Sequence, residues 1–179
     1  MKPLSGALAI SRRFLEPVSL AIDATCGNGH DTKYLAQLAD RLYAFDIQPQ
    51  AIENTRAAVA HLEHVQVIQD SFVNFRQYVS EPIDLIVFNL GYLPGSDKQI
   101  MTQVDDLTLV LQDMMEQLSP HGRIVMVAYP GHPEGKAEAD WLHHTLSTVD
   151  PTEFHSFFLQ HINGINSPAQ LYMIERNAR

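Results

Sequence analysis

The feature that most constrains this chain is a repeated alternation of short apolar runs with longer amphipathic stretches. Ser19–Asp23, Leu42–Asp46, Val65–Gln69, Asp84–Asn89 and Arg123–Tyr129 read as buried strands, each bounded and too short for a helix. Each is followed by a stretch of helical character: His30–Ala39, Pro49–Leu62, Phe72–Val79, Val104–Leu118 and Glu134–Val149. Pro49 suits a first helical turn, where its missing N–H has no partner to lose. Trp141, Leu142, Thr145, Leu146 and Val149 fall on one face of the last of these helices. A further helix is expected over Leu4–Leu15. Two final strands, Phe154–His161 and Gln170–Glu175, are joined by His161-Ile162-Asn163-Gly164-Ile165-Asn166-Ser167-Pro168, a connection rich in turn formers. They are expected to pair as a hairpin, which forces one strand antiparallel to the rest. The pattern predicts an α/β, Rossmann-like fold: a seven-stranded, mostly parallel sheet with a C-terminal antiparallel hairpin and helices on both faces.

The 179 residues fit one domain, 1–179, with no repeat, linker or appended RNA-binding segment. No apolar stretch approaches the roughly 18–20 residues that span a bilayer. Met1–Arg13 lacks the apolar core and cleavage site of a secretory signal. The single cysteine, Cys26, cannot form an internal disulfide, so a cytoplasmic location is expected. Twelve basic against 21 acidic residues give a net charge of −9, an awkward balance for gripping phosphates. Arg12, Arg13, Lys33, Arg41, Lys98, Arg123 and Lys136 are scattered rather than blocked. A small-molecule or protein substrate is slightly favoured, and a nucleic acid would need a local basic patch.

In a doubly wound sheet the ligand sits at the carboxyl ends of the strands. Asp23, Asp46, Asp70 and Asn89 each follow directly on, or close, an apolar run. Gly27-Asn28-Gly29 after the first of them permits a tight turn and close backbone approach to a ligand. Asp46, about 20 residues downstream, can accept from both hydroxyls of a ribose. Asp70-Ser71-Phe72 can meet an adenine, with the carboxylate on its amine and the ring on its face. A dinucleotide site is the rival, but its third glycine position is Thr32, and Asp31 sets negative charge where pyrophosphate would lie. An acid there suits a cofactor bearing ammonium and sulfonium groups, S-adenosyl-L-methionine (SAM). Singly, Asp31 or Asp70 could be a plain helix cap. Cys26 reads as a small residue in a turn rather than a nucleophile, and the nine histidines lack ligand spacing, so no metal is expected.

The run Asp23-Ala24-Thr25-Cys26-Gly27-Asn28-Gly29-His30-Asp31-Thr32, with Asn89-Leu90-Gly91-Tyr92-Leu93-Pro94-Gly95, resembles a family of small bacterial single-domain class I methyltransferases. They were long labelled rRNA methylases and are assigned to the last methylation of 5-aminomethyl-2-thiouridine at the tRNA wobble position. The resemblance extends to Gly131-His132-Pro133-Glu134-Gly135 and Asn163–Pro168. It implies SAM binding through Asn28, Asp31, Asp46, Gln48, Asp70 and Ser71. Ala169 stands where the family has a second proline, and Phe14–Val18 lacks an expected Gly-Asp.

Asn89-Leu90-Gly91-Tyr92 sits where many amine methyltransferases carry Asn-Pro-Pro-Tyr. A primary amine must attack in line with its lone pair, so it needs acceptors for its N–H bonds. The Asn89 side-chain oxygen and a following carbonyl can supply them, with Tyr92 packing on the substrate. Read structurally, Gly91–Gly95 is only a turn. The expected function is SAM-dependent N-methylation of a wobble aminomethyl-uridine in tRNA, approached through the anticodon loop. Another RNA, a protein or a small amine as acceptor, or a catalytically silent SAM-binding subunit, are the alternatives. Substrate recognition falls to the catalytic face, the N-terminal helix or a homodimer.

Overall fold

The computed structural model describes residues 6–91, 104–164 and 167–178. Seven strands, β1 (Val18–Asp23), β2 (Ala39–Asp46), β3 (Val65–Gln69), β4 (Ile83–Asn89), β5 (Leu118–Ala128), β6 (Phe154–Gln160) and β7 (Gln170–Arg176), form one sheet in the order β3-β2-β1-β4-β5-β7-β6. Strands β1 to β5 run parallel, and β7 is antiparallel to both β5 and β6. The helices are α1 (Gly6–Ser11), α2 (His30–Leu35), α3 (Pro49–Val59), α4 (Val104–Gln117) and α5 (Pro133–Leu146), with 3-10 turns at Arg12–Phe14 and Phe72–Gln77. The Rossmann-like architecture with its terminal antiparallel hairpin is the one the alternation predicts.

Strand periodicity sorts the core into two layers. In β4, Ile86 and Phe88 join Leu107, Val110, Met114 and Leu142 of α4 and α5 in one apolar cluster. Leu85 and Val87, pointing the other way, pack in a second cluster with Leu35 of α2 and Ile10 of α1. Helices therefore cover both faces, which is why β1, β4 and β5 read as continuous apolar runs rather than alternating ones. Among the described residues no helix is long and apolar enough to cross a membrane.

The largest differences from the sequence reading fall at three places along the chain. Helix α2 stops at Leu35, and β2 starts at Ala39 rather than Leu42. A backbone bond from Leu38 to Leu35 closes the helix, and Val18 donates to the Leu38 carbonyl as β1 pairs with Ala39. Asp40 and Arg41 are exposed there, so the strand start carries no apolar signal. Strand β5 reaches back to Leu118 through Ser119-Pro120-His121-Gly122, where His121 takes φ 64° and the pairing with β4 shifts register. The N-terminal helix breaks into α1 and a 3-10 turn, with residues 1–5 outside the described residues.

Glu138 on α5 is only 4% exposed, and its Oε1 has no hydrogen-bond partner among the described residues. Burial pushes its carboxyl up to about 7. The folded chain thus holds this proton more tightly than the unfolded chain, and the stability present below about pH 4.5 falls as pH rises towards 7. Glu138→Gln is expected to match wild type near pH 4 and to exceed it by about 1–2 kcal/mol at pH 8. Thermal unfolding at both pH values checks this, and equal stability at pH 8 would contradict it.

Candidate active site

Because β1 to β4 are parallel and in register, their carboxyl ends share one edge of the sheet. Asp23 lies level with Ala44 and Val87, Asp46 with Gln69, and Asn89 with Val127. Above this edge opens a cleft of about 820 Å³. Asn28, Asp31, Asp46, Gln48, Asp70, Ser71 and Asn89 line it, and so does Gly27. Asp23 and Gly29, also singled out from the sequence, lie behind its wall. Tyr92 and Lys98 fall outside the described residues.

The glycine loop is built by its neighbours. Gly27 and Gly29 take φ of 51° and 78°, the left-handed region that glycine enters without steric cost. At Gly29 a Cβ would sit 3.0 Å from the Thr55 Cα, so α3 packs directly on the loop. Thr55 donates to the Gly27 carbonyl at 2.9 Å, and Asn54 donates to the Asn28 Oδ1 at 2.8 Å. Asp23 braces the loop from inside: its Oδ2 accepts the Thr32 hydroxyl at 2.6 Å and its Oδ1 the Thr25 N–H at 3.3 Å. Burial pushes its carboxyl up to about 7 despite the Thr32 bond. The same burial drives the Cys26 thiol well above its ordinary range, which leaves no thiolate for nucleophilic chemistry.

Asp46 accepts the Gly27 N–H at 3.0 Å on Oδ2 and the Gln48 N–H at 2.9 Å on Oδ1. A carboxylate has about four acceptor directions, so each oxygen keeps one for a ligand hydroxyl. Ile47, 53% exposed, offers an apolar surface beside it. Asp70 takes the Ser71 N–H at 2.7 Å and the Asn74 amide at 2.9 Å on Oδ1, and the Tyr78 hydroxyl at 2.9 Å on Oδ2. Bonds from Asn74 and Tyr78 hold its carboxyl below the usual range. Ser71 caps the following 3-10 turn by accepting from Val73. Phe72 borders the cleft but is only 7% exposed and packs edge-on against Phe88. Ile47 therefore presents more free surface to a purine than Phe72 does.

The end of β4 meets the loop through Thr25, whose hydroxyl accepts the Asn89 N–H at 2.8 Å and donates to the Asn89 carbonyl at 3.3 Å. The Asn89 side chain donates through Nδ2 to the Asp31 Oδ2 at 3.2 Å and accepts through Oδ1 from the Tyr129 hydroxyl at 2.8 Å. Arg12 pairs with the other Asp31 oxygen at 2.9 Å. Arg12, one of the scattered basic residues, thus turns one guanidinium nitrogen inward to the cleft edge. Tyr129, Ile47, Asp106 and His132 line the cleft without having been singled out for it. Position supplied the available signal: Ile47 and Tyr129 directly follow β2 and β5, as Asp70 follows β3.

The lining suits SAM better than a dinucleotide. Among the described residues it holds four aspartates, Asp31, Asp46, Asp70 and Asp106, and neither lysine nor arginine. A pyrophosphate would meet repulsion there, whereas a ligand carrying sulfonium and ammonium charges is matched.

Comparisons with known proteins give the family. The family described as "Putative rRNA methylase" matches residues 42–175. A curated relative from Arabidopsis thaliana, tRNA (mnm(5)s(2)U34)-methyltransferase, chloroplastic, is 31% identical over 98% of this chain and 70% of its own length. A crystal structure of a "putative rRNA-methylase" from Clostridium thermocellum has a TM-score of 0.91 at 33% identity, covering 98% of this chain and all of that one. A "putative methyltransferase" from Streptococcus mutans, solved in complex with SAH, has a TM-score of 0.88 at 34% identity, covering 97% of this chain and 99% of that one. The chain belongs to the rRNA methylase family and is a methyltransferase.

Proposed function

We propose that this methyltransferase, with SAM as its methyl donor, methylates the primary amine of an aminomethyl group on a modified wobble uridine of tRNA. The observation that carries the reading is the Asn89 amide, held at the end of β4 in an acidic cleft that has no cationic lining among the described residues. Asp46 would hold the ribose hydroxyls, with Asn28, Gln48, Asp70 and Ser71 around the rest of the cofactor. Asp23 and Gly29 would act by shaping the loop.

When bound, SAM supplies a methyl group on cationic sulfur: the amine lone pair forms the new C–N bond as the C–S bond breaks, sulfur keeps that electron pair, and the extra nitrogen proton leaves to water. The residues contribute position rather than strong base chemistry. Asn89 Oδ1 keeps an acceptor direction for one amine N–H beyond its bond from Tyr129. With Asp31 paired to Arg12, Asp46, Asp70 and Asp106 still leave the cleft acidic and favour an incoming cation, and the amine reacts once it has lost its proton, so activity should climb with pH. The same charge keeps phosphates outside, which fits a single unstacked base entering from the anticodon loop. The relative from Arabidopsis supports the same acceptor.

Purified enzyme incubated with SAM and tRNA carrying aminomethyl-uridine should give the methylated nucleoside by mass spectrometry, with none from the same tRNA lacking the amine. Transfer to unmodified tRNA, or to ribosomal RNA alone, would overturn the acceptor and leave the methyltransferase standing.

A further inference from the structure

We infer that Tyr129 and Arg12 are positioning residues that lock the Asn89 amide with its carbonyl oxygen, rather than its NH2 group, available to the reacting nitrogen. The role rests on the proposed function above; the lock itself does not.

An asparagine amide has two ends of nearly equal size and opposite polarity, so packing alone does not choose between them. Here the Asn89 backbone is clasped by the Thr25 hydroxyl, which leaves the side-chain amide as the group still to be oriented. One end faces Asp31 and the other faces Tyr129. Asp31 bonded to a permanently charged guanidinium is a carboxylate and can only accept, so the amide end facing it must be the NH2. The Tyr129 hydroxyl then donates to Oδ1 at 2.8 Å and closes the arrangement from the far side.

Arg12 is itself fixed. Its guanidinium lies 4.5 Å from the centre of the Tyr34 ring, and the Tyr34 hydroxyl donates to the Arg12 carbonyl at 3.2 Å. The 3-10 turn after α1 is thereby connected, through one carboxylate, to the end of β4. Burial and the nearby Asp31 raise the Tyr129 phenol above its usual range, which keeps it a neutral donor. A flipped amide would turn two N–H bonds towards an amine that itself carries N–H bonds, and would aim the nucleophile's lone pair away from the methyl carbon.

The test uses the full-length enzyme with Tyr129→Phe, Arg12→Ala, Arg12→Lys and the Tyr129→Phe/Arg12→Ala pair. With SAM saturating, each of the first two is expected to lower kcat on aminomethyl-tRNA by about tenfold, with KM and the calorimetric affinity for SAH within about twofold. Arg12→Lys keeps the charge and should recover part of the loss. Because both residues act on one amide, the double variant should lose little more than the worse single variant, whereas independent effects would multiply. The Asn89 side-chain NH2 resonances, assigned by their loss in Asn89→Asp, should shift and exchange faster in Tyr129→Phe and Arg12→Ala. An unchanged amide spectrum, or multiplying losses, would overturn the lock. If wild type leaves aminomethyl-tRNA unmethylated while the amide signature responds as described, the acceptor assignment fails and the lock stands.

Discussion

Asn89→Ala is expected to lower turnover by about 10²-fold or more while leaving SAM affinity within about twofold. The expectation follows from where its atoms go. Its backbone is held by Thr25 and should stay in place without the side chain. Asp31 keeps its partner in Arg12, so the variant strands no uncompensated buried charge. What disappears is the acceptor that aims the amine, and without it the nucleophile samples many unproductive orientations. Steady-state kinetics with aminomethyl-tRNA, beside calorimetry with SAM, separate the two quantities. Wild-type turnover in Asn89→Ala would make Asn89 a turn residue and remove the analogy with amine methyltransferases.

The second large effect is on binding. Asp46→Ala is expected to weaken SAM binding by about 2–3 kcal/mol, roughly 30- to 150-fold, while the protein still folds. Two losses add here. The ribose hydroxyls lose a charged acceptor, and the Gly27 and Gln48 amides lose the carboxylate that holds both sides of the loop. Asp46 is half-buried at the cleft rim, so the core beneath it is untouched. Asp46→Asn should retain much of the loop geometry and show how much of the loss belongs to the charge. Calorimetry with SAM decides the matter, and unchanged affinity in Asp46→Ala would place the ribose elsewhere.

The place of Asp46 in the cleft was legible in the sequence because it is set by position along the chain. An acid at the end of a buried strand, about 20 residues after a glycine turn, has few other uses in a parallel sheet. Asp70 was legible for the same reason, yet its three internal bonds to Ser71, Asn74 and Tyr78 were not. Phe72 was expected to lie open to the adenine, and the structure turns it onto Phe88. Asp23 reads as the polar end of a strand and Asp31 as an acid at the start of the following helix. Their partners separate them, since Asp23 spends both oxygens inside the loop while Asp31 joins Arg12 to Asn89.

The sequence by itself determined the sheet, its parallel sense and its final hairpin. Those features are written in the two side-chain periods and in turn chemistry, which act between near neighbours. It also determined which strand ends carry polar groups, because an apolar run ends where its burial ends. Only the tertiary structure decided what those groups touch. Asn89 finds Asp31 across 58 positions and Tyr129 across 40, and Asp31 finds Arg12 across 19. No local period encodes such pairs. They arise when parallel strands bring β1, β4 and β5 to a common edge and the N-terminal turn folds back against α2, so that a tyrosine and an arginine with no motif of their own become the neighbours of one amide.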